Sequence, residues 1–317
     1  MTSKMKLAVG IDIGGTNTVF GLVDENGVCL KQDSVKTGDY EQVENFVQTV
    51  QGKVKTLISD FEGADIIGMG IGAPNANYYT GTIEFAPNLK WKGIVPLVDL
   101  FKNHFDFPIA LTNDANAAAM GERIYGAAKG VNDLLMVTLG TGLGSGFIVN
   151  GEIAYGHDGF AGELGHVTVE KNGRLCGCGR RGCLETYASA TGIVRTAKEF
   201  LAENNNSSLA DLEEITSKSI ADAANNGDEL ALKIFDYTSE KLGFALANTV
   251  AITSPKLIVL FGGLAQSGDL ILKPTKKYME DYLLKIFKNK IDIVPSQLKA
   301  ADAAILGASS LAWQMNQ

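Results

Sequence analysis

No run of about 18 consecutive apolar residues occurs in the 317-residue chain, so no membrane span is expected. The leading stretch MTSKMKLAVGIDIGG breaks its short apolar run with Asp12 and two glycines and has no small-residue cleavage site. No signal peptide is expected, and the compartment is read as the cytoplasm. Four cysteines are too few for a disulfide scaffold in a chain of this length. Basic runs are missing as well. Lys+Arg 28 against Asp+Glu 36 leaves a net charge of −8, a poor match for nucleic acid. There is no G-x-x-x-x-G-K-[ST], which excludes a P-loop. At the turns that follow strands, the last glycine of G-x-G-x-x-G is replaced by Ser145 after Gly140 and by Ala73 after Gly68, and the glycine loops lead into a strand rather than a helix, which argues against a dinucleotide dehydrogenase.

Hydrophobic residues make up 45% and charged residues 20%, as in a globular protein, and the length suggests two domains. Glycine is plentiful at 36 but has no three-residue period, so collagen is excluded and tight turns or close approaches are expected instead. Residues 6–23 read as strand, glycine turn, strand, because their apolar flanks are short and β-branched. The spacing of Val43, Phe46, Val47, Val50, Val54, Leu57, Ile58 and Phe61 predicts a helix over 40–61. Residues 65–72 and 108–112 read as strands, the latter followed by a helix from Ala115 to Ala128. Residues 134–149 repeat the opening plan. Shifted by 126 positions, Ile11–Val23 lies on Val137–Val149 without a gap, Gly14 on Gly140 and Asp12 on Thr138. A long amphipathic helix is expected near 228–252, then a strand KLIVLF ending at Gly262-Gly263. Strands alternating with helices predict an α/β fold in two similar halves with a ligand cleft between them.

Two glycine turns occupy matching places: Asp12-Ile13-Gly14-Gly15-Thr16-Asn17 and Leu139-Gly140-Thr141-Gly142-Leu143-Gly144. Turns with little side-chain bulk let backbone N–H groups face an anion, and Thr16, Asn17 and Thr141 add donors. Ordinary hairpins also use glycine; the pairing in both halves, with an acid at Asp12, favours a polyphosphate site. Asn113-Asp114 ends one strand and opens an Ala-rich helix. Asp114 suits an N-cap. It also suits a carboxylate kept ionised by the helix dipole and able to accept a proton from an attacking hydroxyl, and both can be true of one residue.

His166, Cys176, Cys178 and Cys183 fall within GHVTVEKNGRLCGCGRRGCLE. One imidazole and three thiolates satisfy tetrahedral Zn²⁺ in a closed structural site, with the intervening glycines allowing tight turns. A catalytic zinc is disfavoured because no coordination position stays open, and Cys29 stands alone. Glu163 and Glu185 flank the cluster. Their plain reading is solvated glutamates; their functional reading is acceptors for sugar hydroxyls.

Together, Asp12–Asn17, Leu139–Gly144, Gly162-Glu163-Leu164-Gly165-His166 and Cys176 through Glu185 resemble the ROK family (repressors, open reading frames, sugar kinases), in order and over nearly the whole chain. The resemblance implies an actin-like ATPase (hexokinase/Hsp70/actin, ribonuclease H-like) fold with two lobes around a central cleft. The division expected is 1–113 plus about 302–317 as a small lobe and 114–301 as a large one with a zinc-binding loop at 166–183. ATP, Mg²⁺, a hexose, one structural Zn²⁺ and a homodimer are implied, without nucleic acid or membrane. Asp114 is implied as catalytic base. Asn88, Asn113, Asp114, Glu163, His166 and Glu185 are implied as the sugar-binding set, His166 serving both zinc and sugar. Asp12 would lie near Mg²⁺, Gly14, Gly15, Thr16, Asn17, Thr141 and Gly142 on phosphates, and Gly262-Gly263 beside the nucleoside.

One departure is visible: Asn75 stands where relatives commonly carry Gly after Gly-Ala-Pro. Asn tolerates the left-handed conformation better than most residues, so the turn is expected to survive. Ala86-Pro87-Asn88-Leu89-Lys90-Trp91 resembles the N-L-x-W stretch of the family's glucokinases, which makes glucose the leading substrate. N-acetylglucosamine, N-acetylmannosamine, mannose and fructose are the alternatives. The family's repressors carry an N-terminal helix-turn-helix, for which the eleven residues before Asp12 are too few. An enzyme is therefore expected over a non-DNA-binding sugar sensor or a self-assembling actin-like protein.

Overall fold

The computed structural model describes residues 4–298 and 302–316. The chain divides into two compact units. The first is built from the chain up to Gly130, Ile153–Ala161 and the chain from Gln297 onward; the second from Val131–Glu152 and Gly162–Ser296.

In the first unit β1 (Lys6–Ile13), β2 (Thr18–Asp24) and β3 (Cys29–Val35) form an antiparallel meander. Helix α1 (Val43–Ser59) follows, with Phe46, Val47, Val50, Val54 and Leu57 buried on the face its spacing predicts. Strand β4 (Asp65–Gly72) pairs parallel with β1. Three short strands, β5 (Ala76–Asn77), β6 (Thr82–Glu84) and β7 (Ile94–Val95), form a small separate sheet. Helix α2 (Leu97–Lys102) leads to β8 (Ile109–Thr112), parallel to β4, and then α3 (Asp114–Tyr125). The main sheet runs β3-β2-β1-β4-β8. Strand β1 is buried almost throughout, as a central strand covered on both faces must be.

The second unit repeats the plan. Strands β9 (Leu134–Leu139) and β10 (Leu143–Val149) pair antiparallel, with the short β11 (Glu152–Ile153) hydrogen-bonded beside β10. Helices α4 (Ala190–Glu203), α5 (Ser217–Asn225) and α6 (Glu229–Thr253) precede β12 (Leu257–Phe261), and α7 (Asp269–Tyr282) precedes β13 (Asp292–Pro295). The order β11-β10-β9-β12-β13 matches the first sheet strand for strand, with β9–β12 and β12–β13 parallel. The 126-residue offset read from the sequence thus marks a structural duplication. The core of this unit joins Leu135, Val137 and Leu139 of β9 to the apolar faces of α4, α5 and α6. No helix among the described residues is long and apolar enough to cross a membrane.

The boundary expected at 113/114 differs from the one the packing draws. Helix α3 stays with the first unit because it packs on α8 (Ala303–Gln314), their backbones meeting where Gly121 faces Gly307. Of the expected lobes, residues 1–3, 299–301 and 317 lie outside the described residues. The helix expected to reach Ala128 stops at Tyr125. Gly126 leaves helical geometry, and the fully buried Glu122 carboxylate accepts the Ala127 N–H at 2.7 Å, drawing the chain off the helix axis.

Candidate active site and metal centre

In the first unit the glycine turn between β1 and β2 is closed by the Gly14 N–H donating to the Asn17 carbonyl at 2.9 Å. A side chain at Gly15 would meet the Asn88 carbonyl oxygen at 2.6 Å, so glycine is required where the Asn88 loop abuts the turn. Asp12 is the penultimate residue of β1 and Asp114 opens α3, and the two flank Gly72 at the end of β4. A Cβ on Gly72 would lie 3.3 Å from Asp12 Oδ1 and 3.7 Å from the Asp114 Cα. Burial, and secondarily the charge of Asp114, push the Asp12 carboxyl up to about 7.

Asp114 is not the cap of α3. Asn113 is, its side-chain oxygen accepting from Ala115 N at 2.8 Å and Asn116 N at 3.1 Å. Both residues are good caps by type, but only the one with extended backbone before the first turn can fill the role. The Asp114 side chain reaches the surface, yet surrounding protein desolvates it and raises its pKa, with the Ala115 N–H pulling the other way. Desolvation therefore outweighs the helix-end stabilisation expected from sequence. The carboxylate combines access for a small ligand with poor hydration, the setting in which a proton acceptor is tuned upward.

In the second unit a side chain at Gly142 would collide with Glu185 Oε2. That carboxylate accepts the Leu143 N–H at 3.1 Å, while its other oxygen faces Cys176 Sγ at 3.6 Å. Gly144 N donates to Thr138 Oγ1 at 3.1 Å. Thr141 is exposed, and its carbonyl accepts the Thr191 hydroxyl at 2.8 Å. Gly262, at φ +102°, follows β12 against the end of β9, and Leu264 N donates to Leu139 O at 3.2 Å. The Gly262-Gly263 turn and the second glycine loop therefore meet at Leu139.

The four ligand atoms of His166, Cys176, Cys178 and Cys183 lie within 4.8 Å of one another. Cys176 Sγ is 3.7 Å from His166 Nδ1, and Cys178 Sγ is 3.7 Å from Cys183 Sγ. Tetrahedral Zn²⁺ with bonds of about 2.0–2.3 Å needs ligand separations of roughly this size, so the residues fit the ion. Burial pushes the Cys176 thiol up to about 12, and a divalent cation is what would hold such a group as thiolate. His166 Nε2 faces Glu163 Oε2 at 3.9 Å, so the ring presents one nitrogen to the cluster and the other to a candidate sugar ligand.

Two supports of this region were not legible in sequence. Buried Arg174 donates to Glu199 at 3.1 Å, to the Thr186 carbonyl at 2.7 Å and to Thr196 Oγ1 at 3.0 Å, and its guanidinium lies 4.4 Å from the centre of the Tyr187 ring. It ties the cysteine loop to α4. The Ser145 hydroxyl donates to the Gly162 carbonyl and accepts from Leu164 N, fixing the segment that carries Glu163 and His166. An arginine beside a cysteine cluster carries no spacing signal, and neither does a serine on a strand.

A model of the ROK family matches residues 8–315. The chain belongs to the ROK family. This ROK protein is 37% identical over 314 residues to a glucokinase of Thermotoga maritima, covering 97% of each chain. It is 33% identical to a xylose repressor of Caldicellulosiruptor bescii, covering 78% of this chain and 62% of the repressor. A crystal structure of a ROK family glucokinase from Streptomyces griseus, in complex with glucose and AMPPNP, superimposes with a TM-score of 0.78 at 34% identity, covering 97% of this chain and 99% of that one. The fold of this ROK protein is the actin-like ATPase fold, with its two equivalent five-stranded sheets.

Proposed function

We propose that the chain is a glucokinase that transfers the γ-phosphoryl group of ATP to the 6-hydroxyl of glucose. The observation that carries this reading is the placement of Asp114. Its neighbour caps the helix, leaving an accessible, poorly hydrated carboxylate beside Asp12. As the sugar's 6-oxygen bonds to the γ-phosphorus, the bond from that phosphorus to the bridging oxygen breaks, ADP departs, and Asp114 takes the hydroxyl proton. A loose transition state does not demand a strong base, and an upward-shifted carboxyl is better matched to neutral pH.

Gly14, Gly15, Thr16, Asn17, Thr141 and Gly142 would offer backbone N–H and hydroxyl donors to phosphate oxygens, and Gly262-Gly263 would lie beside the nucleoside. Asp12 would hold Mg²⁺, which neutralises charge on the transferring group. Asn88, Asn113, Glu163, His166 and Glu185 would hold the hexose. Asn113 would use its NH₂, because its oxygen serves the cap. His166, Cys176, Cys178 and Cys183 would hold a structural Zn²⁺ that keeps Glu185 and Glu163 in register. Glucokinases at 35–37% identity support the reading, as does the S. griseus structure's glucose. The same reading makes the enzyme a cytoplasmic homodimer that works without nucleic acid, which light scattering of the purified protein and a filter-binding assay check.

A coupled ADP-release assay over glucose, mannose, fructose, N-acetylglucosamine and N-acetylmannosamine tests it. Glucose should give the highest kcat/KM. Turnover of none would leave the second reading that the xylose-repressor similarity favours, a sugar-responsive regulator.

A further inference from the structure

We propose that Asn75 is a positioning residue for the hexose side of the site, acting through the loop that carries Asn88; this rests on the kinase reading above. Asn75 sits at φ +51°, in the left-handed region. Its backbone carbonyl accepts the Glu84 N–H at 3.0 Å. Its side-chain Nδ2 donates to the Glu84 carbonyl at 3.1 Å and reaches the Phe85 carbonyl at 3.5 Å. Phe85 supplies an independent observation. It is a bulky residue at φ +52° whose side chain is 67% exposed, so it gains little from burial in that conformation. A residue of this kind is strained there and stays only where its surroundings hold it. The holds on its backbone are the Asn75 amide and its own N–H donating to Gly93 O at 2.8 Å.

Three residues on, the Asn88 carbonyl abuts Gly15. On the other side of Asn75, Ala73 N donates to Thr112 O at 3.0 Å, one residue before Asn113. One carboxamide thus links the strand end beside Asp114 to the loop that presents Asn88. Its two donors match two carbonyls, so the amide itself, and not merely a residue tolerant of positive φ, sets where Asn88 stands.

Two substitutions separate these roles. Asn75→Gly keeps the backbone conformation and loses the amide. Asn75→Asp is isosteric and also tolerant of the left-handed region, but turns an acceptor toward two acceptors. Steady-state kinetics on the full chain should show the glucose KM raised about fivefold in Asn75→Gly and about tenfold or more in Asn75→Asp, as for loss of a hydrogen bond and for an opposed polar pair. The ATP KM should stay within about twofold in both. A glucose KM in Asn75→Gly at or below that of the wild type overturns the proposal, as does an equal rise for both substrates. Melting temperatures identify a variant that has not folded, and if Asn75→Asp is lost in that way Asn75→Gly decides alone. A wild-type protein that turns over no hexose defeats the kinase reading and this inference with it. An active wild type with an indifferent Asn75→Gly defeats this inference only.

Discussion

The two glycine loops share a backbone plan and differ in what presses on them. In the first unit Gly15 is pressed by a backbone carbonyl, that of Asn88, and the strand before the loop carries a carboxylate, Asp12, one residue from its end. In the second, Gly142 is pressed by a side chain, that of Glu185, which has already taken the Leu143 N–H. The residue matching Asp12 is Thr138, whose hydroxyl accepts from Gly144 N. The second loop is thus satisfied from within and braced by the cysteine cluster, whereas the first keeps an uncompensated acid with a raised pKa. A duplicated fold need not duplicate chemistry. The first loop keeps a buried acid that titrates, and the second is held by bonds from its own unit.

Removing the metal should break this contrast most severely. Cys178→Ser is expected to lower bound zinc from about one per chain to near none by elemental analysis, because a structural site loses its closed tetrahedral set. Hydrogen exchange should then quicken at 140–144, whose brace Glu185 is tied to Cys176, and stay unchanged at 12–17. Equal loosening of both loops would show that the bracing is not local. Next comes Asp114→Asn, which should lower kcat by at least about a hundredfold, the range for a positioned base, while leaving the melting temperature within a few degrees. A near-normal kcat would remove Asp114 from the chemistry.

The glycines themselves sharpen the comparison at smaller scale. Gly15→Ala forces a Cβ against backbone, which cannot swing aside, and should cost about 1–3 kcal/mol of stability by denaturant titration. Gly142→Ala meets the end of a glutamate and should cost less, because Glu185 can rotate away. Its effect should be seen instead as a higher glucose KM. Reversal of the two stabilities would mean that Glu185 is held as rigidly as main chain.

Much of this was legible in the residues. Short β-branched flanks around glycine turns gave away both hairpins, and the 126-residue offset carries the end of β1 at Ile13 onto the end of β9 at Leu139 and β2 onto β10 to within one residue. The cysteine and histidine spacing was readable because ligand chemistry demands few residue types. The choice of cap was not, since Asn113 and Asp114 both suit it and only backbone geometry separates them. The braces on the loops were hidden too. Asn88 meets Gly15 and Glu185 meets Gly142 across long stretches of sequence, and no local pattern encodes such pairs. The unit boundary was misplaced for the same reason: the pairing of α3 with α8 joins helices nearly two hundred residues apart, so the strand end at Thr112 looked like an edge when it is interior to its unit.

The smallest effect is also the most specific to the first loop. Asp12 has its carboxyl raised from 3.8 to about 7, mainly by burial and then by Asp114. Below about pH 4 the folded and unfolded chains both hold this proton, and nothing is lost. Between about 4 and 7 the unfolded chain releases it while the folded chain keeps it, so folding takes up a proton and stability falls as pH rises. Above 7 both are ionised and the full penalty remains. Three pKa units would correspond to roughly 4 kcal/mol, and partial solvent access reduces this to about 1–2 kcal/mol. Asp12→Asn should therefore raise the melting temperature by a few degrees at pH 8 and by almost nothing at pH 4. Thr138→Val, at the matching place in the second unit, should instead lower it with no slope across that range, because a lost hydroxyl does not titrate. A flat difference between Asp12→Asn and the wild type from pH 4 to 8 would mean that the first loop stores no such electrostatic strain, and the contrast between the loops would reduce to one of packing.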